Sequence, residues 1–300
     1  MKKKTYLFAL MAMALTLGSC SDNENGIGGE TSKYITVSTS IGNMTRVATD
    51  EKGGQTFEEG DEISVYAWTG DATVAPETRE RVVNNAINKL TNGSWVSTPQ
   101  MLWKNNRDKH YFIGVYPISA ISDLSTGEYT FDETKQVESD LLVAVNKDGL
   151  SYNVDEQQTV PLTFTHVMAK LAVNLTYKNQ WGGIPTVEKV VVGNAAKEAT
   201  INYLTKVVTP SATAKEDFSL PEITENTKYV SVIIPQEDVK QLTIVIGGKN
   251  FVYDNGTPFK LESGKITTVN LEVGRDEIKL GDVKITDWEN GSTFSGEALN

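Results

Sequence analysis

From Tyr34 onward the chain alternates apolar and polar side chains over short runs rich in β-branched and aromatic residues, the period expected of strands. The runs that predict strands are Tyr34–Ile41, Glu62–Trp68, His110–Tyr116, Leu141–Val145, Val167–Tyr177 and Val187–Val192. They continue with Ala199–Tyr203, Tyr229–Ile234, Leu242–Ile246, Phe251–Tyr253 and Thr267–Val273. Turn-forming pairs separate them: Gly53-Gly54, Asn92-Gly93, Asp148-Gly149, Gly182-Gly183, Gly247-Gly248, Asn255-Gly256 and Asn290-Gly291. Within Val167–Tyr177 the odd positions Val167, Ala169, Leu171, Val173 and Leu175 share one face, and Lys170, Asn174 and Thr176 share the other. That division predicts a strand with a core on one side and water on the other. Helical patterning is scarce. Only Arg79–Leu90 (RERVVNNAINKL) has spacing that suggests a short helix, and imperfectly.

Many short strands closed by frequent turns predict an all-β fold of packed sheets. No fixed-period repeat is present, which argues against a solenoid or propeller. Three hundred residues suit two domains, each with its own core. We place their boundary near Pro161–His166, giving an N-terminal β-sandwich over 33–162 and a C-terminal one over 163–300.

The first residues follow a different logic. Lys2, Lys3 and Lys4 precede an apolar run, Tyr6–Leu17, that ends in small residues, the layout of an export signal over 1–19. The run is shorter than the roughly 20 apolar residues of a membrane-spanning helix. Leu17-Gly18-Ser19-Cys20 resembles a bacterial lipobox, which implies a lipidated cysteine as the mature N-terminus. Cys20 is the only cysteine in the chain, so no intramolecular disulfide is possible. The alternative is a free thiol in an oxidising compartment. One acyl chain holds a protein to a membrane only marginally, at ~0.8 kcal/mol per buried methylene, whereas two or more hold it stably. Residues 20–32, small, polar and acidic after Cys20, form a flexible tether.

Charge narrows the partners. With 28 Lys+Arg against 39 Asp+Glu the net charge is −11, so the chain lacks the basic surplus that nucleic-acid binding requires. Loss of the three signal lysines makes the mature form more acidic still. It gains nothing from anionic headgroups, and any anchoring falls to the lipid on Cys20.

Catalytic chemistry finds little foothold. His110 and His166 are the only histidines, and neither has a partner at metal-ligand spacing. The densest acidic stretch, Glu58-Glu59-Gly60-Asp61-Glu62, offers carboxylates for calcium but lacks EF-hand spacing, and a solvated turn is the simpler expectation. Nucleophile-elbow, zincin and phosphate-loop motifs are absent from the sequence. A carboxylate pair for glycoside hydrolysis would have to assemble in space. Five tryptophans and eleven tyrosines look more like core filling and sugar stacking. We expect no enzyme and no cofactor. Arg46 stands in Gly42–Thr49, a polar segment after the first strand of the kind that proteases nick.

Taken in order, several segments resemble the fimbrillin (Mfa-like) family of surface lipoproteins from Bacteroides-type bacteria. They are the lipobox at Cys20, Thr45-Arg46, the stretch Phe57–Ala67 (FEEGDEISVYA), Trp95 with Trp103, and Tyr111–Pro117 (YFIGVYP). Ser139–Ala144 (SDLLVA), Leu162–Leu171 (LTFTHVMAKL) and Ile285–Gly291 (ITDWENG) complete the set. The resemblance implies two tandem transthyretin-like or immunoglobulin-like β-sandwiches and a subunit of surface fimbriae at the outer membrane. It further implies, for polymerising members, cleavage by an arginine-specific protease behind the first strand. Arg46 matches that place, and cleavage there would release Cys20–Arg46 with Tyr34–Ile41.

A sandwich stripped of one strand keeps an apolar groove flanked by unpaired backbone groups, a template for another molecule's strand. The expected donor is a neighbour's C-terminal Ile278–Trp288, where Val283, Ile285 and Asp287 alternate with Lys284, Thr286 and Trp288. Head-to-tail exchange of this kind does not close and builds a fibre. The alternative is a monomeric surface-anchored adhesin or glycan-binding lipoprotein that keeps its first strand and meets a host glycan or protein.

Overall fold

A computed structural model of the chain describes residues 33–42, 56–156, 158–254 and 256–288. In chain order the strands of the first half are β1 (Thr36–Ile41), β2 (Glu62–Thr69), β3 (Arg81–Thr91), β4 (Ser94–Thr98), β5 (His110–Tyr116), β6 (Gly127–Thr130), β7 (Leu142–Leu150) and β8 (Thr159–His166). The second half adds β9 (Ala169–Tyr177), β10 (Val187–Ala196), β11 (Glu198–Asn202), β12 (Val207–Pro210), β13 (Lys215–Ser219) and β14 (Glu222–Thr224). It closes with β15 (Lys228–Ile233), β16 (Gln241–Ile246), β17 (Lys249–Asp254), β18 (Lys265–Val273) and β19 (Ile278–Asp287). The expected all-β class holds: the only helical turns among the described residues are two three-residue 3₁₀ segments.

A seven-stranded sheet in the order β1-β8-β7-β5-β2-β3-β4 forms the first half. All its neighbours are antiparallel except β1 and β8. The sheet curls until its ends meet, with Tyr34 bridging Leu102 just beyond β4. Strict alternation sends Ile63, Val65, Phe112, Leu142 and Ala144 to one face, where they pack with Ile35, Val37, Val160, Leu162 and Phe164. Tyr66, Trp68, Ile113, Val115 and Val143 point to the other face and join the core of the second half. Both faces are therefore dry, which is why β2 is buried over six consecutive residues.

In the second half a five-stranded sheet, β14-β15-β9-β18-β19, faces a four-stranded one, β13-β10-β16-β17. Leu171, Val173, Val190, Val192, Leu242, Ile244, Val269 and Leu271 belong to the core they share. A small sheet, β12-β11-β6, ties the halves together, since β6 belongs to the first half and β11 to the second. The division drawn at 162/163 falls inside β8.

Two sequence expectations are corrected. Arg79–Leu90 is not a helix: from Arg81 it is strand β3. Between the pairs Ala67↔Val83 and Val65↔Ala86 this strand carries one residue more than β2, with Asn85 at φ 57°. A bulge of this kind shifts the inward positions from period two to a spacing of three, which imitates a helical pattern. The second correction concerns β9, whose supposedly wet face is buried at Lys170 and Ala172.

Gly114 shows how tightly β5 meets β8. A Cβ at this position would lie 2.6 Å from Phe164 Cζ and 3.1 Å from Leu162 Cδ1, both on fully buried side chains. Overpacking of this kind costs roughly 1–3 kcal/mol. We expect Gly114→Ala to lower the urea unfolding free energy by that amount, and an unchanged midpoint would show that β8 is free to shift.

Candidate functional site

The site begins with an entropic and hydrogen-bonding problem that β1 solves. Parallel pairing sets Thr36 opposite Thr159, Val37 opposite Val160, Thr39 opposite Leu162 and Ile41 opposite Phe164. On its far side β8 meets β7 only at His166, Thr165 and Phe164. Residues Thr159–Thr163 thus have β1 as their one strand neighbour among the described residues. The opposite wall of the seat is made by the chain after β4, where the Ile35 amide donates to Met101 O (2.9 Å) and the Trp103 amide to Lys33 O (3.2 Å).

Inward from β1 point Ile35 and Val37, both fully buried, then Thr39 and Ile41, both half-buried. Their burial contributes on the order of 5 kcal/mol before any main-chain bond is counted. Outside the groove the contacts are polar: Thr36 Oγ1 donates to Gln158 O (3.3 Å) and Ser40 Oγ to Thr163 Oγ1 (3.2 Å). Trp95, on β4, donates its indole N–H to Thr39 Oγ1 at 3.0 Å. Phe57, where the chain returns after 43–55, packs edge-on against Trp95, Tyr116 and Phe164 at centroid distances of 5.1–5.4 Å. Arg46 falls in 43–55 and Cys20 before residue 33, so both lie outside the described residues, as do the signal over 1–19 and the tether over 20–32.

At the other end of the chain β19 is the edge of its sheet, paired antiparallel to β18 from Ile278↔Val273 to Asp287↔Lys265. Val283 and Ile285 stand opposite the buried Val269 and Thr267, yet they are 38% and 40% exposed. The strand ends in an anchor. The Trp288 amide donates to Gly264 O (3.0 Å), and its indole stacks on the His166 imidazole at 4.0 Å and 7°. Lys170 Nζ lies 4.0 Å over the same ring. His166 Nδ1 in turn meets Asp140 Oδ1 at 2.8 Å.

This cluster joins one residue from each of three segments quoted above, SDLLVA, LTFTHVMAKL and ITDWENG, and a second from LTFTHVMAKL. Burial pushes the Lys170 ammonium down to about 8, with the Asp140 carboxylate pulling the other way. No spacing in the sequence announced this convergence. The nearest signal was Lys170 on the supposedly wet face of an otherwise apolar strand.

The remaining chemistry-bearing residues are spent on structure. His110 is buried, accepts the Lys104 amide at Nε2 (3.0 Å) and faces Asp108 O with Nδ1 (3.1 Å). Burial lowers its pKa. In the acidic turn three of the four carboxylates are used separately. Asp61 Oδ2 accepts the Glu58 amide, Glu59 the Asn92 amide, and Glu62 pairs with Lys89. No group of three potential metal ligands occurs among the described residues. No helix there is long and apolar enough to cross a membrane.

Comparison with known proteins places this architecture. A relative from Bacteroides uniformis, described as a candidate fimbrium subunit, Fim1C, is 24% identical over 322 aligned positions, spanning 99% of this chain and 100% of its own. Crystal structures of candidate cell adhesion proteins from B. uniformis and Bacteroides ovatus both superpose with a TM-score of 0.64, at 19% and 18% identity. They cover 86% and 85% of this chain and 100% and 98% of theirs. A fimbrial protein from Bacteroides vulgatus gives 0.52 at 12% identity, over 84% of this chain and 99% of its own. These likenesses establish a common fold. The profile of the fimbrillin-like family matches residues 45–288, and the chain described here belongs to that family.

Proposed function

We propose that this chain is a structural or accessory subunit of cell-surface fimbriae, exported as a lipoprotein through Cys20 and held at the outer membrane at least as a precursor. It assembles with other fimbrial subunits by strand exchange after cleavage at Arg46 removes its first strand. What carries this is the position of β1. It is an edge strand with an apolar inward row, and half of β8 depends on it for pairing. Its end at Ile41 leads through Gly42 into the sequence segment that contains Arg46. Family membership supports a structural role and not catalysis. In this division of labour residues 33–162 lose one strand and accept another, and residues 163–300 supply the donor.

The alternative, a monomeric surface adhesin that retains β1, has its own observation. An open concavity of about 750 Å³ is lined by Asp71, Arg79, Glu80 and Lys104, beside the strand entry at Leu102. The indoles of Trp68 and Trp103 form part of its wall but are buried, so a glycan there would be held by polar groups more than by stacking.

Donation of β19 requires Trp288 to leave its place over Lys170, and the ammonium then regains water. Below about pH 8 the seated form carries the full cost of a charged, desolvated lysine. Between 8 and the ordinary value of 10.5 the folded chain has lost a proton that the unfolded chain still holds, so stability rises with pH through that window. Lys170→Met removes both the cost and the slope. We expect urea unfolding at pH 7 to show a gain of about 1–2 kcal/mol after allowing for the lost cation–π contact. The difference between variant and wild type should shrink as pH approaches 10.5. A constant difference across that range would mean that Lys170 is not the titrating group.

Exchange itself is tested by treating the mature chain with an arginine-specific protease. Cleavage after Arg46, release of the 20–46 fragment and growth of species larger than a monomer are the expected course. A cut that leaves a monomer with β1 still bound, together with selective retention on a glycan array, would favour the adhesin.

A further inference from the structure

The inward row of β1 holds a puzzle. Ile35, Val37 and Ile41 are aliphatic, but Thr39 places a hydroxyl among them, opposite the fully buried Leu162. Its partner explains it. The Trp95 N–H points at Thr39 Oγ1 from 3.0 Å, and the edge contact with Phe57, 5.3 Å between centroids, holds the indole in place. An aliphatic side chain at this position would strip the partly buried N–H of its acceptor. The first three inward positions thus ask an incoming strand for two aliphatic side chains followed, at the same two-residue interval, by an oxygen acceptor, and the fourth, at Ile41, is only half-buried.

The chain contains that pattern on an edge strand. Val283, Ile285 and Asp287 follow one another at the same interval on one face of β19 and present aliphatic, aliphatic and carboxylate groups. Val283 and Ile285 are partly exposed, and Asp287 is engaged at the surface by Lys265. The upstream trio Ile278, Leu280 and Asp282 has similar residue types, but the irregularity at Gly281 breaks its face. Leu280 pairs with Leu271, whereas Asp282 pairs with Asn270 on the opposite side. A carboxylate also accepts an N–H more strongly than a hydroxyl does.

We infer that Trp95 is the residue that sets register in strand exchange, and that Val283–Asp287 of a second copy enters the seat with Val283 at the Ile35 position, Ile285 at that of Val37 and Asp287 at that of Thr39. This inference rests on the exchange proposed above and adds the register of the occupant and the residue that sets it. Trp95 acts as a specificity determinant, and Asp287 is the group it selects.

The experiment uses the mature chain cleaved after Arg46 and a fluorescent peptide of residues 279–288. Asp287→Val in the peptide and Trp95→Phe in the protein should each weaken binding roughly ten- to a hundredfold, the range of a hydrogen bond to a charged group. Combined, they should cost no more than either alone. Asp282→Val in the peptide should bind like the native sequence. Equal binding of native and Asp287→Val peptides, or additive losses in the combination, overturns the register while leaving exchange intact. If neither this peptide nor one of residues 33–42 is taken up, exchange itself fails and the register falls with it. In the intact chain, hydrogen exchange of the β1 amides supplies an independent arm. Thr39→Val and Trp95→Phe should accelerate it non-additively, and additive effects there remove Trp95 from the seat. Should Trp95→Phe not fold, the comparison of the two peptides on wild-type protein still decides.

Discussion

A strand carries backbone donors and acceptors along both edges, and burying them without partners costs more than most side-chain contacts return. In this protein the balance rests on the parallel pairing of β1 with β8. Thr159–Thr163 has no other strand beside it among the described residues, and the core formed by Val160, Leu162 and Phe164 is completed by Ile35 and Val37. β1 ends the strand order, and its lead-in at Lys33–Ile35 is bonded across to Met101 and Trp103. In the proposed exchange, departure of β1 would turn a satisfied seat into an unsatisfied one, and the bonds that stabilise the monomer would drive uptake of a replacement.

The C-terminal strand has the complementary character. Its backbone is paired on one side only, and Leu280, Val283 and Ile285 stay partly exposed although Ile278 packs on the core. Those three side chains contribute less hydrophobic stabilisation than fully covered ones would. What restrains it is Trp288, wedged against His166 and Lys170 at the point where β8 passes into β9. The anchor is itself a compromise, since it covers a lysine whose charge is costly to bury. Such a contact holds the strand end in place at an electrostatic cost.

Residues that suggest chemistry in the linear sequence turn out to be absorbed by architecture. The acidic turn distributes its carboxylates over separate amides and Lys89. His110 is fixed between a backbone amide and a backbone carbonyl. His166 orients a tryptophan. These polar side chains aim backbone and rings.

Much of this was legible from residue order alone. Period-two alternation determines the all-β class and most strands, because half-buried strands must alternate, and the ordered family segments mark the chain as fimbrillin-like. Where the period was distorted, the sequence misled: one extra residue at Asn84-Asn85 made β3 resemble a helix. The alternation of Val283, Ile285 and Asp287 was also visible, but not the Trp95–Thr39 contact it is proposed to replace, which exists only once β4 curls over β1. The same holds for Lys170. Local alternation assigned it to water, and only the return of the chain more than a hundred residues later, bringing Trp288 onto it, decided otherwise. Contacts between distant strands depend on sheet order and curl, which no local period encodes, and it is these contacts that determine what each strand edge is paired with and what each buried side chain touches.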